Sequence, residues 1–522
     1  MSETPDAEER RVLGWRARLR DDREVRNRTA AGTVTGAIVL AVLGALMGPQ
    51  WAPVPMTDPL TVQTSSTAIP GAGEPGDYAV RTSVVEVPLD GTTVEAQLRV
   101  PVGADEDVPA VLFVHGAGTG RYVDAFVDQA QALASAGVAT LVPDKRLDTY
   151  TARHRDYVAM ADDYLHSFDL LRDVDGVDPD RVGVYAESEG AWIAPVMAVE
   201  QPDVAFVALV SAPVVPPRQQ AAFAVDQYLR NTGVPQQVFR AIPRAVGMSL
   251  PGGGFEYADF DVAPYQRRMT QPVLVVYGTG DASMPLVQGA EQIIRDVAIA
   301  GNPDYTVRYY RGADHGIRVD TVVDPVFLRD LTGWVLGLPG TGSADPRVAG
   351  DQPEQLYWAA PVAQPRWLGN GDVLVFLVLG AVGLIVLLPL GRQALVGVRH
   401  LRGLPRSHHR DEGLARRLAV LSASTVATVV GLVFYLYGVA RLALGYERNG
   451  WVVQGGWLVV RVLGLVAVAA AASVVVRLRR LRAAGQPLAH GLLGHAVLWG
   501  TCAACAALLV VLAYWGVYQL GI

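Results

Sequence analysis

The chain of 522 residues carries a formal net charge of −7, so it is long enough for several domains, and its acidity gives no reason to expect a nucleic-acid partner. Hydrophobic residues make up 51% of the chain and its mean hydropathy is +0.24, which is high for a soluble protein. The only cysteines, Cys502 and Cys505, lie in an apolar segment and form neither a disulfide framework nor a zinc site.

The N-terminal part is typical of a membrane anchor. Residues 1–28 are polar, with eight arginines and seven acidic residues, and residues 29–48 contain no charge at all. About 20 apolar residues suffice to cross a bilayer. A cleaved secretory signal is the alternative, but this run exceeds a usual signal core and no clean cleavage site follows. We expect an uncleaved anchor, then a Pro-rich linker over residues 49–77 outside the cytoplasm.

Residues 78–338 read as one α/β domain. Two alternating stretches, 80–87 and 93–100, predict an opening antiparallel pair. Strands and helices then alternate, which predicts a mostly parallel sheet with helices on both faces. The further strands are predicted at 109–114, 138–143, 181–186, 204–210, 272–277 and 305–311, and the helices at 121–136, 156–173, 189–200, 285–298 and 325–337.

The alternation is interrupted by residues 213–270. This insertion mixes helical pieces with breakers such as Pro235 and the run Pro251–Gly254. It is too long for an ordinary connection between a strand and a helix. We expect it to form a lid over the site, with the glycine run as a hinge.

A candidate nucleophile lies between the third parallel strand and its helix, in the sequence RVGVYAESEGAW. Ser188 is flanked two residues away by Ala186 and Gly190, which suits a tight strand-to-helix turn that lifts the hydroxyl above the sheet. The N-terminus of the following helix favours developing negative charge. The alternative interpretation is a buried serine at an ordinary turn.

A serine needs a base, and the base needs an orienting acid. Asp281 follows the strand at 272–277 in the sequence GTGD, and His315 follows the strand at 305–311 in GADHG. Both loops are therefore expected at the carboxyl edge of the sheet, in the chain order Ser, Asp, His. Asp314 is a poor orienting acid, since the side chains of adjacent residues diverge.

With these motifs, residues 78–338 resemble the α/β-hydrolase superfamily. The supporting stretches are DKR after the strand at 138–143, VDPDRVGVYAESEGAW at the elbow and APYQRRMTQPVLVVYGTGD before the acid. They look closest to the branch with dienelactone-hydrolase-like enzymes, serine aminopeptidases and prolyl-oligopeptidase-like hydrolases. The resemblance implies an oxyanion hole made by the backbone amides of Ala117, in the loop HGAG, and of Glu189. It assigns no catalytic role to Lys145.

Two glutamates, Glu187 and Glu189, bracket the serine where family members often have Gly-His before it and Gln-Gly-Gly after it. Two carboxylates at the mouth of a site favour cationic or neutral substrates. In the alternative interpretation, Glu189 complements the helix N-terminus while Glu187 faces away.

A second linker, residues 339–370, leads to a region of four apolar segments, residues 371–522. The segments cover 373–390, 418–440, 453–476 and 492–516, and each is long enough to span a bilayer. Seven arginines lie at 392–417 and four at 477–482, but only two at 441–452. The positive-inside rule then puts the arginine-rich loops at 392–417 and 477–482 in the cytoplasm and the α/β domain outside it.

The sequence thus predicts an α/β-hydrolase fold with a lid insertion and transmembrane helices, working as a membrane-anchored, extracytoplasmic serine hydrolase. It would cleave acyl esters or short peptides through Ser188, His315 and Asp281, without metal or organic cofactor. An acyltransferase acting on cell-envelope lipids or glycans would use the same triad. A catalytically silent sensor or scaffold is the third possibility.

Overall fold

The computed structural model describes residues 7–69, 73–104, 106–402, 411–445 and 447–519. It divides into two compact units. The sheet unit comprises residues 52–227 and 253–362, and the helical unit comprises residues 1–51, 228–252 and 363–522.

The described part of the sheet unit contains a nine-stranded sheet. Its strands are β1 (Ala79–Leu89), β2 (Thr92–Val102), β3 (Val108–Val114), β4 (Ala139–Pro143), β5 (Val177–Glu187), β6 (Val207–Val210), β7 (Val273–Gly278), β8 (Tyr305–Tyr310) and β11 (Val348–Gly350). They are ordered β1-β2-β4-β3-β5-β6-β7-β8-β11. The pairs β1–β2 and β2–β4 are antiparallel and all other neighbours are parallel, as predicted. A separate hairpin joins β9 (Arg318–Val319) to β10 (Val322–Val323).

Helices follow the parallel strands in the predicted order. They are α2 (Val127–Ser135), α3 (Tyr157–Arg172), α4 (Gly190–Glu200), α5 (Pro217–Thr232), α6 (Ala241–Val246), α7 (Ala263–Gln266), α8 (Leu286–Ile299) and α9 (Pro325–Leu336). Helix α2 begins later than the predicted residue 121, because Phe126 has a φ of +58° and cannot continue a helix backwards.

Strand β3 shows why the sheet is covered on both faces. All seven of its residues, VPAVLFV, are buried. Ala110, Leu112 and Val114 belong to one apolar cluster, whereas Val111 and Phe113 belong to another. Successive residues of a strand point to opposite faces. A continuous apolar run is therefore what a strand between two helical layers requires.

Parts of the two predicted linkers pair with the sheet and are not simple spacers. Part of the second linker forms β11, which pairs in parallel with residues 307–309 of β8. Part of the first lies beside it, where the amide of Gln63 donates to the carbonyl of Val348 and the amide of Gly350 donates to that of Thr64. The alternation of apolar residues is too short in both segments to have revealed this pairing.

The helical unit contains the long apolar helices. They are α1 (Ala7–Leu46), α10 (Gly371–Leu401), α11 (Glu412–Leu444), α12 (Gly456–Ala483) and α13 (Gly491–Tyr514), with a short π-helix, Trp451–Gly455, before α12. Among the described residues, five helices are long and apolar enough to cross a membrane. They coincide with the five predicted segments.

Helix α1 packs against α12 through small residues. A Cβ atom at Gly32 would lie 3.1 Å from the Cβ of Ala472, and one at Gly36 would lie 3.0 Å from Cγ1 of Val468. Glycines four residues apart let two helix backbones approach closely, as is common between helices in membranes. The N-terminal helix is therefore an integral part of the helical unit.

The insertion predicted as a lid is divided between the units. Its middle, residues 228–252, belongs to the helical unit. There the buried guanidinium of Arg244 lies 4.7 Å from the ring of Tyr514 and donates to backbone carbonyls at the ends of α1 and α13. These acceptors are the carbonyls of Gly44, Gly48, Pro49 and Tyr514.

One residue of the glycine run is held within the helical unit, because the amide of Gly252 donates to the carboxylate of Asp372 at 2.9 Å, whereas Gly253 and Gly254 belong to the sheet unit. A lid that moves on this run stays a prediction.

Candidate active site

Ser188 lies in a sharp turn between β5 and α4, at the carboxyl edge of the sheet. Its φ is +56°, a left-handed value that non-glycine residues rarely adopt. The turn is crowded, since a Cβ atom at Gly190 would lie 2.6 Å from the carbonyl oxygen of Val114. The amide of Ser188 donates to the carbonyl of Val210 in β6 at 3.0 Å. The strand, the strained turn and the helix therefore stand where the sequence predicts a nucleophile elbow.

The predicted acid and base are in direct contact. Oδ2 of Asp281, in the loop after β7, lies 2.7 Å from Nδ1 of His315, in the loop after β8. The carboxylate of Asp281 is fully buried and also accepts hydrogen bonds from the amide and hydroxyl of Ser283 at 2.8 and 2.6 Å. Asp314 instead uses its carboxylate to cap its own loop, accepting from the amides of Gly316 and Arg318.

Two adjacent residues at the end of β6 bond to the proposed nucleophile and to the proposed base. Val210 accepts the amide of Ser188, and the hydroxyl of the next residue, Ser211, donates to the carbonyl of His315 at 2.7 Å. Ser211 is itself buried, with a φ of +48°. No local pattern indicates a role for this serine, because that role depends on two loops distant along the chain.

The electrostatics of the pair favour a charged imidazole. Burial alone would lower the pKa of His315, but the adjacent carboxylate of Asp281 outweighs it and raises this pKa to about 8, with Glu187 adding to the effect. Burial opposes ionisation of Asp281, yet the imidazole and the hydrogen bonds from Ser283 keep its pKa below the usual value. A carboxylate that stabilises a histidinium is what general-base catalysis by the histidine requires.

The loop after β3 lies against the nucleophile. A Cβ atom at Gly116 would approach the Cβ of Ser188 to 3.2 Å, so only glycine fits without displacement. The preceding His115 is buried, with Nε2 2.7 Å from the carbonyl of Pro143 and Nδ1 3.1 Å from the hydroxyl of Thr119. Burial lowers the pKa of His115 to about 4, so its imidazole stays neutral and serves to shape the loop.

Beside the elbow is a buried charge cluster that sequence reasoning missed. The carboxylate of Glu189, 1% exposed, accepts from Nζ of Lys145 at 3.1 Å and from Nη1 of Arg155 at 2.5 Å. The hydroxyls of Tyr150 and Tyr157 donate to the same carboxylate at 2.9 and 3.4 Å. The signal in the sequence was Lys145, the only lysine of the chain, but nothing local indicated its partner.

This cluster changes the interpretation of the two glutamates. The charge of Glu189 is compensated by Lys145 and Arg155, so it does not attract cationic substrates. Burial raises the pKa of Glu187, which receives a hydrogen bond from Tyr185. The charge of Glu187 contributes to the raised pKa of His315. The hypothesis of a doubly anionic mouth is therefore wrong for Glu189.

Within the described ranges, no three or more His, Cys, Asp or Glu side chains are grouped so that they could hold a metal ion.

Comparison with known proteins adds one family match. The model of the prolyl oligopeptidase family matches residues 124–338, which contain Ser188, Asp281 and His315. A comparison with curated protein sequences gave no match.

Similar folds occur among solved structures. A puromycin-hydrolysing peptidase of Mycobacterium tuberculosis is 18% identical, with 54% of this chain and 42% of that chain covered and a TM-score of 0.38. An esterase of Pyrobaculum calidifontis is 16% identical, with 60% and 92% covered and a TM-score of 0.37. Est1E from Butyrivibrio proteoclasticus is 18% identical, with 44% and 90% covered and a TM-score of 0.32.

Residues 124–338 thus match a family of serine hydrolases, within a sheet of the α/β-hydrolase type.

Proposed function

We propose that this protein is a membrane-anchored hydrolase that cleaves acyl esters, or short peptides, through an acyl-enzyme on Ser188. The observation that carries the proposal is the 2.7 Å contact between Asp281 and His315, at the same edge of the sheet as a serine in a strained strand-to-helix turn. The same three residue types in this chain order serve acyl transfer throughout the superfamily.

In the proposed mechanism, Oγ of Ser188 attacks the acyl carbon while Nε2 of His315 takes its proton. The N–H at Nδ1 of His315 donates a hydrogen bond to Asp281, so Nε2 is the nitrogen with a free lone pair. The histidinium then protonates the leaving group. Water, activated by the same imidazole, releases the acyl group from Ser188 and restores the enzyme.

The developing oxyanion is stabilised by the backbone amides of Ala117 and Glu189. The loop that contains Ala117 contacts the nucleophile through Gly116. Glu189 begins the turn into α4, so its amide points along the helix axis with the other unpaired N–H groups. Donors placed in advance at this position lower the barrier without reorganising in the reaction.

The hydrolase is proposed to lie outside the cytoplasm. The arginine-rich stretches at 392–417 and 477–482 flank α10, α11, α12 and α13 on one side, and the positive-inside rule assigns that side to the cytoplasm. The packing of α1 against α12 supports retention of the first helix as an anchor. Reporter fusions after Leu338 and after Arg406 should fall in opposite compartments, and a shared compartment would contradict this topology.

The activity is tested with the full chain in detergent micelles, using short-chain and long-chain 4-nitrophenyl esters and aminoacyl arylamides. We expect ester turnover that falls on the order of 10³-fold or more in Ser188→Ala. Ser473→Ala, which removes a hydroxyl that donates to the carbonyl of Ala470 within α12, is the matched control and should retain activity. Turnover unchanged in Ser188→Ala would refute the assignment. Transfer to an added alcohol in preference to water would make the enzyme an acyltransferase.

A further inference from the structure

The buried side chain of Lys145 contacts both sides of the proposed oxyanion hole. Its ammonium group donates to the carbonyl oxygen of Gly116 at 2.6 Å and to the carboxylate of Glu189 at 3.1 Å. Gly116 belongs to the loop after β3 and Glu189 to the elbow after β5. One side chain, 2% exposed, therefore joins the two segments that supply the two amide donors.

The contact with Gly116 acts directly on the first donor. The carbonyl of Gly116 and the amide of Ala117 are parts of one planar, trans peptide unit, so they point in opposite directions. Holding the carbonyl on the ammonium group fixes the direction of the Ala117 N–H. A hydrogen bond from a cation to the carbonyl also polarises the peptide unit, which strengthens its N–H as a donor.

The contact with Glu189 acts on the second donor. The carboxylate of Glu189 is held by Lys145 and by Arg155, whose guanidinium lies between the rings of Tyr150 and Tyr257 at 4.8 and 4.7 Å. With its side chain held, the residue that follows the nucleophile cannot rotate its amide away from the site. Arg155 shares this second contact, but the hydrogen bond to Gly116 comes from Lys145.

The stability of the fold does not account for this arrangement. Burying an ion pair costs desolvation that its Coulomb energy often fails to recover, and apolar side chains of similar volume commonly do as well. Here the buried charges of Lys145 and Glu189, together with the partly buried guanidinium of Arg155, lie beside the nucleophile. A role in holding the geometry of the site explains their position where a gain in stability does not.

We infer that Lys145 is a positioning residue that aligns the amides of Ala117 and Glu189 on the oxyanion, an inference that rests on the proposed acyl-transfer function. Lys145 touches no reacting atom, so its removal should weaken the interaction with the oxyanion and leave Ser188, His315 and Asp281 in place.

The test compares an oxygen ester with its sulfur counterpart, phenyl acetate against O-phenyl thionoacetate, on the full chain in micelles. Backbone donors aligned on an oxyanion stabilise it more than the larger, weakly accepting sulfur anion. We expect Lys145→Met to lower kcat for the oxygen ester about 10- to 100-fold, and for the thionoester less than about 3-fold. The ratio of the two rates should therefore fall toward one.

Arg155→Met is the matched control, because it removes the other cation from Glu189 without touching Gly116. Its ratio should fall much less than that of Lys145→Met, because Lys145 still holds both Gly116 and Glu189 in this variant. Glu189→Gln keeps the shape of the Glu189 side chain without its charge and should lower the ratio of the two rates several-fold. It therefore provides the test if Lys145→Met does not fold. An equal fall for both esters, or an unchanged ratio in a folded variant of either residue, would overturn the inference. A wild-type enzyme that turns over neither ester would refute the proposed function itself.

Discussion

Lys145 in the sheet unit and Arg244 in the helical unit are both buried cations, but their charges are compensated in different ways. Lys145 faces the carboxylate of Glu189, which Arg155 also contacts. Arg244 donates to backbone carbonyls at the ends of α1 and α13, and no carboxylate among the described residues bonds to it. Carbonyls at a helix C-terminus are unpaired and carry partial negative charge, so they can hold a cation alone.

This difference in charge compensation indicates a different role for each region. Beside the active site, paired and titratable side chains fix the direction of individual groups, and they give the site a dependence on pH. In the helical unit, a cation that stays charged at every accessible pH fastens residues 228–252 to the helix ends. Substitutions should therefore alter catalysis in the first region and stability in the second.

The largest effect is expected at the carboxylate that orients the base. Asp281→Asn keeps the size of the side chain but offers an amide where Nδ1 of His315 needs an acceptor, so the imidazole adopts the wrong tautomer. We expect kcat to fall on the order of 10³- to 10⁴-fold, with the melting temperature little changed. The control is Asp314→Asn, adjacent in sequence but bonded to its own loop, which should cost less than about 3-fold. Equal losses would mean that the acid is misassigned.

Arg244→Met tests the other side of the comparison. It leaves several carbonyls buried without a donor, and each such group costs about 1–3 kcal/mol. We expect a clear drop in melting temperature, larger than that of Lys145→Met, because Glu189 keeps Arg155 as a partner. The control is Arg240→Met, which removes an arginine whose Nη1 is buried without a partner within the described residues. Comparable drops for Arg244 and Arg240 would show that the carbonyl contacts contribute nothing.

Catalysis should depend on pH, whereas the contribution of Arg244 to the melting temperature should not. Because His315 must be neutral to accept a proton, and its pKa is raised to about 8, kcat/KM should rise tenfold per pH unit below about 8 and level off above it. Glu187→Gln removes one of the charges that raise this pKa, so the rising limb should move to lower pH. If the rising limb of the pH profile does not move in Glu187→Gln, the charge of Glu187 does not raise the pKa of His315. The contribution of Arg244 to the melting temperature should stay constant over the same range.

The smallest effect is expected at Ser283, whose hydroxyl lies 2.6 Å from Oδ1 of Asp281 and 3.2 Å from Nδ1 of His315. Ser283→Ala removes one hydrogen bond to the carboxylate, while the backbone amide still donates to it. We expect kcat to fall about 3- to 10-fold, which corresponds to the net worth of one hydrogen bond. Ser283→Thr keeps the hydroxyl and should restore most of the rate. A threonine variant as slow as the alanine variant would attribute the loss to packing.

The parts of the fold that depend on local patterns could be predicted from the sequence. The strands, the antiparallel pair that opens the sheet and the five apolar helices follow from periodicity and composition over short windows. The elbow at Ser188 and the loops that contain Asp281 and His315 were located in the same way, because each follows a buried strand.

The contacts that could not be predicted join residues distant along the chain. Lys145 and Glu189 are 44 residues apart, and Arg244 bonds to Tyr514 across 270 residues. No local signal indicates such partners. The short strand β11 and the division of the insertion were missed for the same reason, since both depend on what the segment packs against.

The central claim, that Ser188 is a nucleophile activated by His315 and Asp281, is tested most directly by mapping a covalent adduct. The full chain is treated with a fluorophosphonate and digested, and the modified residue is identified by mass spectrometry. We expect a single adduct on Ser188, absent from Ser188→Ala and formed far more slowly in His315→Ala. An adduct on another serine, or labelling of Ser188 at the same rate without His315, would contradict the account.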